Sequence, residues 1–426
     1  MSIRKRTKDT AAETTSKIKD FLRKLGPGVV TGAADDDPSG IATYSQAGAM
    51  FGLSTLWTAF ISAPLMISIQ EMCARIGVVT HHGLASVIKE NYHKAILYAI
   101  ILVTVPAIVF NIGADIAAVG AVANLLIPQI PTLAFSFGFT CLLAAIVIFY
   151  PYRKFASLMK WLCISLFAYF IVPFLLHLNW GRIAVSAILP TVQFNSSFIL
   201  IIVALLGTTI SPYLFFWQAS MEVEEDRQYH KRANSRLIKN MKIDVYVGMI
   251  FSNVVMFFII LTAGSVLFTN NITNISTVRE AAVALKPLAG NASYLLFALG
   301  VIGSACIAIP VLGGSISYIY SELLGAKGNL DKKFHQEKGF YLTLIAALAI
   351  GLLINLIGIS PITMLIYSAV LYGLIAPILI VLILHICNNK NILGRYVNDR
   401  LSNILGIATF LVMAFAALAF LYFQLI

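Results

Sequence analysis

The chain has 426 residues, of which 59% are hydrophobic and only 12% are charged. Soluble domains carry about 25% charged residues, so this composition excludes an ordinary soluble protein and predicts a polytopic membrane protein. The net charge of +11 would suit a nucleic-acid-binding surface, but its distribution along the chain favours another interpretation. The basic stretch 1–26 has no apolar core of the signal-peptide type and is expected to be a cytoplasmic tail.

Apolar runs of about 20 residues predict eleven membrane-spanning helices. If the N-terminus is cytoplasmic, 27 of the 30 Lys and Arg residues fall on the cytoplasmic side, as membrane insertion favours. The basic excess is therefore a topology signal. We expect a multi-pass protein of the cell membrane that contacts the lipid bilayer and no nucleic acid, with an extracellular C-terminus. The predicted spans lie near residues 27–50, 52–76, 95–127, 133–150, 157–177, 196–220, 243–269, 291–324, 339–357, 361–387 and 403–425.

The first predicted span is interrupted by the sequence "TGAADDDPSG". Pro38 removes a helix hydrogen bond and clashes with the preceding turn, and Ser39 and Gly40 follow it; an ordinary proline kink is the alternative. Three consecutive carboxylates, Asp35 to Asp37, precede the proline, and each would cost roughly 3 kcal/mol or more if it faced lipid. No Lys or Arg lies near the middle of a predicted span. The carboxylates therefore predict a wet cavity with a bound cation.

The sixth predicted span carries a similar interruption, "GTTISPYLFFWQ", with Pro212 in its middle. Each broken span opens a set of five helices, which is typical of the inverted repeats of secondary transporters. In such proteins the two unwound segments face each other near the bilayer midplane and bind the ion or substrate. The sequence thus predicts a first repeat over 27–177, an extracellular loop over 178–195, a second repeat over 196–388, and a loop with a last helix over 389–426.

A few other polar residues have more than one interpretation. Asp115 is either a proton relay inside the membrane or a hydrogen-bonded core carboxyl. Gln46 and Gln218 stand about two turns beyond the two breaks and could brace or gate a cavity. Glu71 and Arg75 are four residues apart and predict an ion pair on one helix face. The five cysteines are scattered and predict neither a disulfide framework nor a zinc site, so no resident cofactor is expected.

The chain resembles the NRAMP family of divalent-metal transporters over nearly its whole length. The sequence "GPGVVTGAADDDPSGIATYSQAGA" is similar to the family's first helix, whose core motif is Asp-Pro-Gly-Asn, and "QEMCARIGVVT" to the end of its second. The sequence "NIGADIAAVGAVANLL" is similar to the third helix, "TTISPYLFFWQ" occupies the place of the helix-six Met-Pro-His motif, and "SAVLYGLIAP" resembles helix ten. The resemblance implies an all-α membrane protein of LeuT-like fold, with 11 transmembrane helices in two inverted five-helix repeats and with helices 1 and 6 broken.

The resemblance also implies where a metal ion would bind. The family holds the metal through an Asp and an Asn of helix one, a carbonyl and a Met sulfur of helix six, and a Gln of helix ten. Here Asp37 is kept, whereas Gly40 replaces the Asn, Ser211 the Met and Ala369 the Gln. Thr208 holds the carbonyl position and adds a hydroxyl. The candidate metal-site residues are therefore Asp36, Asp37, Gly40, Thr208 and Ser211.

The positions that the family uses for protons and for the inner pathway change as well. The helix-six His is Tyr213, and only Asp115 of the acidic pair in helix three is kept, because Ala118 replaces the other member. Asp244 and Asn253 look like family positions that line the inner pathway; polar packing between helices is their alternative.

The replaced ligands predict a change of substrate. A thioether selects transition metals, whereas oxygen ligands suit hard cations such as Mg²⁺. The pattern resembles the NRAMP-related magnesium transporter branch. It predicts a secondary transporter, expected to be a monomer, that imports Mg²⁺ with Mn²⁺ competing, through an enlarged all-oxygen site and with weak or no proton coupling.

Three other functions are weighed against this prediction. A proton-coupled Mn²⁺ or Fe²⁺ transporter of the same family is the first alternative. An amino-acid transporter of LeuT-like fold is the second, but three aspartates at the break would repel the substrate carboxylate. A membrane enzyme is the third, but the predicted spans contain no nucleophile–base pair and no zinc-protease motif.

Overall fold

The computed structural model of the protein describes residues 26–150, 166–229, 233–326, 328–330 and 332–425. Every regular element among them is a helix, as the sequence predicts. Short 3₁₀ segments cover Phe268–Asn270, Val283–Leu285, Gly290–Ala292, Asn355–Ile357 and Gly394–Tyr396. The α-helices, numbered in chain order over the described residues, are α1 (Pro27–Asp35), α2 (Pro38–Phe51), α3 (Trp57–Thr80), α4 (Leu84–Asn91), α5 (Lys94–Leu126), α6 (Thr132–Phe149), α7 (Ala168–Leu175), α8 (Trp180–Ile188), α9 (Ser196–Thr209), α10 (Pro212–Tyr229), α11 (Ser235–Val266), α12 (Val278–Ala282), α13 (Lys286–Ala289), α14 (Ser293–Leu324), α15 (Lys338–Ile354), α16 (Pro361–Asn388), α17 (Lys390–Leu393) and α18 (Arg400–Leu425).

Nine helical stretches of the described chain are long and apolar enough to cross a membrane. The first predicted span is not among them because a break divides it into α1 and α2. The fifth is not among them because the start of 157–177 lies outside the described residues, as does the predicted tail apart from Gly26. The predicted loop 178–195 contains α8. The count of eleven crossings, the repeat boundaries and the sidedness of the termini stay predictions.

The break in helix 1 lies at Asp36 and Asp37. Asp36 leaves helical geometry at φ −80° and ψ 50°, and Asp37 is extended at φ −71° and ψ 171°. The Asp37 carboxylate accepts a hydrogen bond of 2.6 Å from the backbone N–H of Gly40 and so caps α2. Pro38 occupies the first helical position, where its missing N–H is not needed. Two local rules thus end one half-helix and start the next.

The break in helix 6 follows the same plan. The half-helix α9 ends at Thr209, Ile210 leaves helical geometry at φ −113° and ψ 64°, and Pro212 opens α10. Both predicted breaks are therefore confirmed. The ion pair predicted for Glu71 and Arg75 is confirmed as well, at 3.0 Å.

The packing of helix 1 positions the first break. Both of its halves pack along α11, and α2 also packs against α16, α9 and α5. Glycine permits the closest of these approaches. A Cβ added to Gly32 of α1 would lie 2.2 Å from the carbonyl oxygen of Gly248 of α11. The half-helix α9 packs on α16 in the same way, since a Cβ added to Gly207 would lie 2.0 Å from the carbonyl oxygen of Ala369.

Candidate functional site

The two helix breaks meet in the protein interior. The Tyr213 hydroxyl, at the start of α10, donates a hydrogen bond of 3.0 Å to the carbonyl oxygen of Ala34, at the end of α1. Asp35, Asp36 and Asp37 are each at most 2% exposed. Burying a carboxylate is costly unless it is paired or hydrogen-bonded, so the partners of each aspartate decide what it can do.

Asp37 faces α5 and α16. Its Oδ2 accepts a hydrogen bond of 2.9 Å from the side-chain amide of Asn111. The Oδ1 of Asn111 in turn accepts a bond of 2.7 Å from the Ser368 hydroxyl, which lies 3.2 Å from the hydroxyl of Ser39. These hydrogen bonds link helix 1, α5 and α16 around one carboxylate. They fix its orientation, because one of its oxygens caps α2 and the other is held by an amide.

Asp35 and Asp36 face α11 instead. The hydroxyl of Ser252 lies 2.6 Å from Oδ2 of Asp35 and 3.2 Å from Oδ1 of Asp36. The other oxygen of each carboxylate is buried without a hydrogen-bond partner among the described residues. The structure therefore separates two predicted metal-site residues: Asp36 shares its partner with Asp35, and Asp37 has a different set of partners.

Asp115 stands on α5 one turn after Asn111. It is fully buried, and within the described part of the chain neither of its carboxylate oxygens has a hydrogen-bond partner. Its strongest charged neighbour is Asp37. Ala118, the other predicted helix-three position, is buried in the core. The structure thus places an unpaired carboxyl group beside the Asp37 network.

The helix 6 break contributes only uncharged groups. The Ser211 hydroxyl lies 2.7 Å from the carbonyl oxygen of Thr208 and 3.0 Å from that of Gly207, both in the last turn of α9, and shares its one proton between them. The predicted Thr208 carbonyl ligand therefore already accepts one hydrogen bond, and its second lone pair is the one left for a cation. Ser211 itself keeps acceptor capacity on its oxygen, since a hydroxyl carries two lone pairs.

The small side chains at Gly40 and Ala369 do not leave open space beside them. A Cβ added to Gly40 would lie 3.3 Å from the Tyr44 ring and 3.3 Å from the carbonyl oxygen of Asp35. Ala369 is fully buried and its carbonyl lies against Gly207. A side chain at position 40 would therefore contact the Tyr44 ring, one turn along the same helix, and the backbone of Asp35.

The two predicted inner-pathway residues make contacts between helices. Asp244 of α11 accepts hydrogen bonds from the backbone N–H groups of Gly26 at 2.7 Å and Gly28 at 2.6 Å. It caps the first turn of α1, whose own N-cap side chain is absent because Gly26 stands there. Asn253 accepts a bond of 2.8 Å from the Ser62 hydroxyl of α3 and donates one to the Met249 carbonyl. Both positions have the contacts that polar packing between helices predicts.

Gln46 and Gln218 each form a hydrogen bond with a distant part of the chain. Gln46 of α2 accepts a bond of 2.9 Å from the backbone N–H of Ile275, in the loop after α11. Gln218 of α10 accepts a bond of 2.5 Å from the Thr31 hydroxyl of α1 and donates one of 2.9 Å to Glu222. The buried aspartates therefore lie between two polar contacts, one beyond each break.

One methionine sulfur lies close to hydroxyl groups near the breaks. Met256 of α11 is buried, with its sulfur 3.7 Å from the Thr209 hydroxyl and 3.9 Å from that of Ser62. Among the described residues, no three His, Cys, Asp or Glu side chains converge closely enough to hold a metal ion by themselves. A cation held here would complete its coordination with carbonyls, hydroxyls and water.

Three polar residues of this interior were missed in the sequence: Asn111, Ser252 and Ser368. Asn111 lies four residues before Asp115 and so shares its helix face, which is a signal that could have found it. Ser368 lies next to the singled-out Ala369, and Ser252 next to Asn253. Nothing local distinguishes these serines from the many that pack between membrane helices.

Comparisons with known proteins agree with this architecture. The family model described as natural resistance-associated macrophage protein-like matches residues 28–423. A divalent metal cation transporter MntH of Clostridium acetobutylicum is 25% identical over 417 residues, covering 97% of this chain and 94% of the relative. MntH of Caldanaerobacter subterraneus is 23% identical over 401 residues, with coverage of 92% and 90%.

Solved structures share the fold. The manganese transporter of Eremococcus coleocola superposes with a TM-score of 0.79 at 17% identity, over 95% of this chain and 87% of that one. The transporter MhsT, in its complex with L-phenylalanine, superposes with a TM-score of 0.59 at 13% identity, over 93% and 97% of the two chains. The LeuT-like, all-α fold that the family resemblance implied is thereby confirmed.

Proposed function

We propose that this chain, which belongs to the Nramp family of divalent metal transporters, imports Mg²⁺ across the cell membrane and carries Mn²⁺ as a competing substrate. The observation that carries the proposal is the chemistry of the helix 6 break. Ser211 stands there in the position for which the family resemblance expects a methionine, and its hydroxyl lies on the last carbonyls of α9. The site that the two breaks form would offer a cation oxygen and no thioether from this position.

The donor set around Asp37 supports a hard cation. The groups that reach its carboxylate are two N–H donors, those of the Gly40 backbone and the Asn111 amide, and the neutral oxygens that the helix 6 break offers are the carbonyl of Thr208 and the hydroxyl of Ser211. Mg²⁺ prefers oxygen ligands and releases its waters reluctantly. A site with one anchoring carboxylate and several neutral oxygens suits a cation that keeps part of its hydration shell.

The thioether near this region does not replace the missing methionine. The Met256 sulfur is within weak hydrogen-bonding distance of two hydroxyls, those of Thr209 and Ser62. A soft metal would have to displace both contacts to use it. Mn²⁺ also accepts oxygen ligands, so we expect the site to bind Mn²⁺ as well without excluding Mg²⁺.

Weak or absent proton coupling is the second part of the proposal. Tyr213, in the place of the family histidine, has its hydroxyl engaged on the Ala34 carbonyl. Ala118 offers no titratable group in the place of the second helix-three acid. Asp115 is the remaining carboxyl on this face and has no hydrogen-bonded chain of partners leading from it among the described residues.

Uptake into liposomes tests both parts. Purified protein is reconstituted, and Mg²⁺ and Mn²⁺ uptake are followed separately, at equal pH and with an inward proton gradient, with a pH dye inside the vesicles. We expect uptake of both ions, little response to the gradient, and no acidification driven by the metal. Uptake of Mn²⁺ alone, accelerated by external acid, would contradict the proposal.

A pair of substitutions at one position tests the selectivity argument directly. Ser211→Met restores the thioether that soft metals prefer, and we expect the Mn²⁺-to-Mg²⁺ uptake ratio to rise about tenfold, which corresponds to about 1.4 kcal/mol. Ser211→Ala is the matched control, because it removes the hydroxyl without adding sulfur. An equal ratio in the two variants would show that the thioether is irrelevant to selectivity.

A further inference from the structure

The three consecutive aspartates point to two different sides of helix 1. Asp37 faces α5 and α16 through Asn111, whereas Asp35 and Asp36 face α11 through Ser252. Helix 1 packs against both groups of helices. A single cation bound at Asp37, in front of α5 and α16, therefore leaves the carboxylate pair on the other face without a ligand of its own.

The shared serine cannot satisfy that pair. A hydroxyl has one proton to donate, yet both carboxylates lie within 3.2 Å of Ser252 Oγ. One of these two contacts is therefore an acceptor facing an acceptor. In addition, Oδ1 of Asp35 and Oδ2 of Asp36 are buried without hydrogen-bond partners in the described part of the chain. Of the four carboxylate oxygens, two share one hydroxyl proton and two have no hydrogen-bond donor in the described part of the chain.

No basic side chain compensates these charges in the described residues. Apart from the Ser252 hydroxyl, the groups that act most strongly on Asp35 and Asp36 are other carboxylates. With Asp37 and Asp115, four buried carboxyl groups lie around this part of helix 1. One divalent cation would balance two of them. The C-terminal end of α1, where Asp35 stands, adds a partial negative charge from the helix dipole.

A separate observation points to a ligand in the same place. Tyr44 of α2 is fully buried, and its hydroxyl has no hydrogen-bond partner among the described residues. Its ring lies beside Gly40, and the charged groups that act most strongly on its hydroxyl are Asp35 and then Asp36. A buried tyrosine hydroxyl normally finds a partner. Here the hydroxyl without a partner belongs to the same buried region as the carboxylate oxygens without a partner.

We propose that Asp35, Asp36 and Ser252 form a second position for a divalent cation, on the α11 face of helix 1, with the Tyr44 hydroxyl at its edge. Two carboxylates and hydroxyl oxygens are a suitable set for Mg²⁺ or Mn²⁺. The inference rests on the proposed function, since it assumes that divalent cations reach the break. The Asp37 position and this one would differ in their other contacts, Asn111 of α5 for the first and Ser252 of α11 for the second, and repulsion between neighbouring cations would make the second ion bind more weakly than the first.

Mn²⁺ binding to the purified full-length protein tests the second position. Equilibrium dialysis gives the number of ions per chain, and the electron paramagnetic resonance spectrum shows line broadening when two Mn²⁺ ions are neighbours. We expect two ions per chain and a broadened spectrum. The double variant Asp35→Asn/Asp36→Asn should bind one ion with narrow lines, and Asp37→Asn should also bind one.

A single, milder substitution tests the same position in case the double variant does not fold. Ser252→Ala should weaken the second ion about tenfold, or about 1.4 kcal/mol, and leave the first unchanged. Ser304→Ala is the matched control, because Ser304 is buried and its hydroxyl donates to the Val301 carbonyl of its own helix. One ion per chain in the unmodified protein, with an unchanged count in the double variant, would overturn the second position and assign the pair to a shared proton.

The outcome is separable from that of the proposed function. If Mg²⁺ and Mn²⁺ are transported through Asp37 but only one ion binds, the second position fails and the proposed function stands. If Asp37→Asn binds and transports both metals like the unmodified protein, the proposed function fails at its own site, whatever the ion count.

Discussion

In the two broken helices, the residue before the proline contacts opposite ends of the half-helices. In helix 1 the residue before the proline is Asp37, which points forward and accepts from the N–H of Gly40 at the positive end of α2. In helix 6 it is Ser211, which points back and donates to carbonyls at the negative end of α9. The first break therefore brings a full negative charge to the interior, and the second brings only neutral oxygens.

Because of this difference, we expect the two breaks to contribute differently to cation affinity and to cation preference. A cation between them would be held mainly by helix 1, because a carboxylate binds it far more strongly than a carbonyl or a hydroxyl does. Helix 6 would influence which cation is preferred, since the oxygen or sulfur at its break decides between hard and soft metals. Retention by one break and selection by the other can be disturbed separately.

The largest effect is expected at Asp37. Asp37→Asn keeps the shape and one acceptor for the α2 cap but removes the charge, and removal of one partner from a buried ionic pair costs roughly 3 kcal/mol or more. We expect Mg²⁺ and Mn²⁺ uptake to fall about 100-fold, as about 2.8 kcal/mol would give. The control is Asp399→Asn, the same change at an aspartate that caps Ser402 near the surface, which should leave uptake near normal. Equal losses in both variants would contradict the role of Asp37.

The next effect concerns how the halves of each broken helix are anchored. Asp244 caps α1 from another helix, whereas Asn195 caps α9 from its own N-terminus with a bond of 2.8 Å to Phe198. Each cap is worth about 1 kcal/mol. Asp244→Ala should release α1 from α11 and speed hydrogen exchange of its amides several-fold, whereas Asn195→Ala should affect only the first turn of α9.

Mass-spectrometric hydrogen exchange on peptides covering 26–35 and 196–209 gives the comparison. We expect the Asp244 variant also to alter transport, because α1 carries the aspartates at its end. Unchanged exchange in 26–35 would mean that the glycine contacts of α1 with α11 hold the half-helix without the carboxylate cap.

The elements and breaks of this fold were predictable because they depend on local rules. Apolar runs predicted the spans, and a proline within an apolar run predicted each break. Asp37 followed from the same pattern, since a carboxylate in an apolar run needs a partner. The long-range contacts were not predictable in this way. Asn111 lies 74 residues from Asp37, and Ser252 lies 217 residues from Asp35.

Those partners depend on how the helices cross, which no local pattern encodes. Asp244 illustrates the limit. Its carboxylate, inside α11, supplies the N-cap that Gly26 lacks, although the two residues are 218 positions apart. The absent cap side chain at Gly26 was visible in the sequence, but the identity of the helix that replaces it was not. The division of the aspartates between two helix faces could likewise be learned only from the packing.

The smallest effect is expected at Gly40, and it sharpens the comparison through the glycine of the other break. A Cβ at Gly40 would lie 3.3 Å from both the Tyr44 ring and the carbonyl oxygen of Asp35, whereas one at Gly207 would lie 2.0 Å from the carbonyl oxygen of Ala369. Shifts of a few tenths of an ångström relieve a contact of 3.3 Å but not one of 2.0 Å, and alanine in a helix gains about 1 kcal/mol over glycine. Gly40→Ala should therefore change the melting temperature little and uptake less than about twofold, which is under about 0.4 kcal/mol. Gly207→Ala should destabilise the protein clearly, because it must push α9 away from α16. If Gly40→Ala lowers the melting temperature more than Gly207→Ala does, the groups around Gly40 cannot shift. The helix 1 break would then tolerate less change than the helix 6 break.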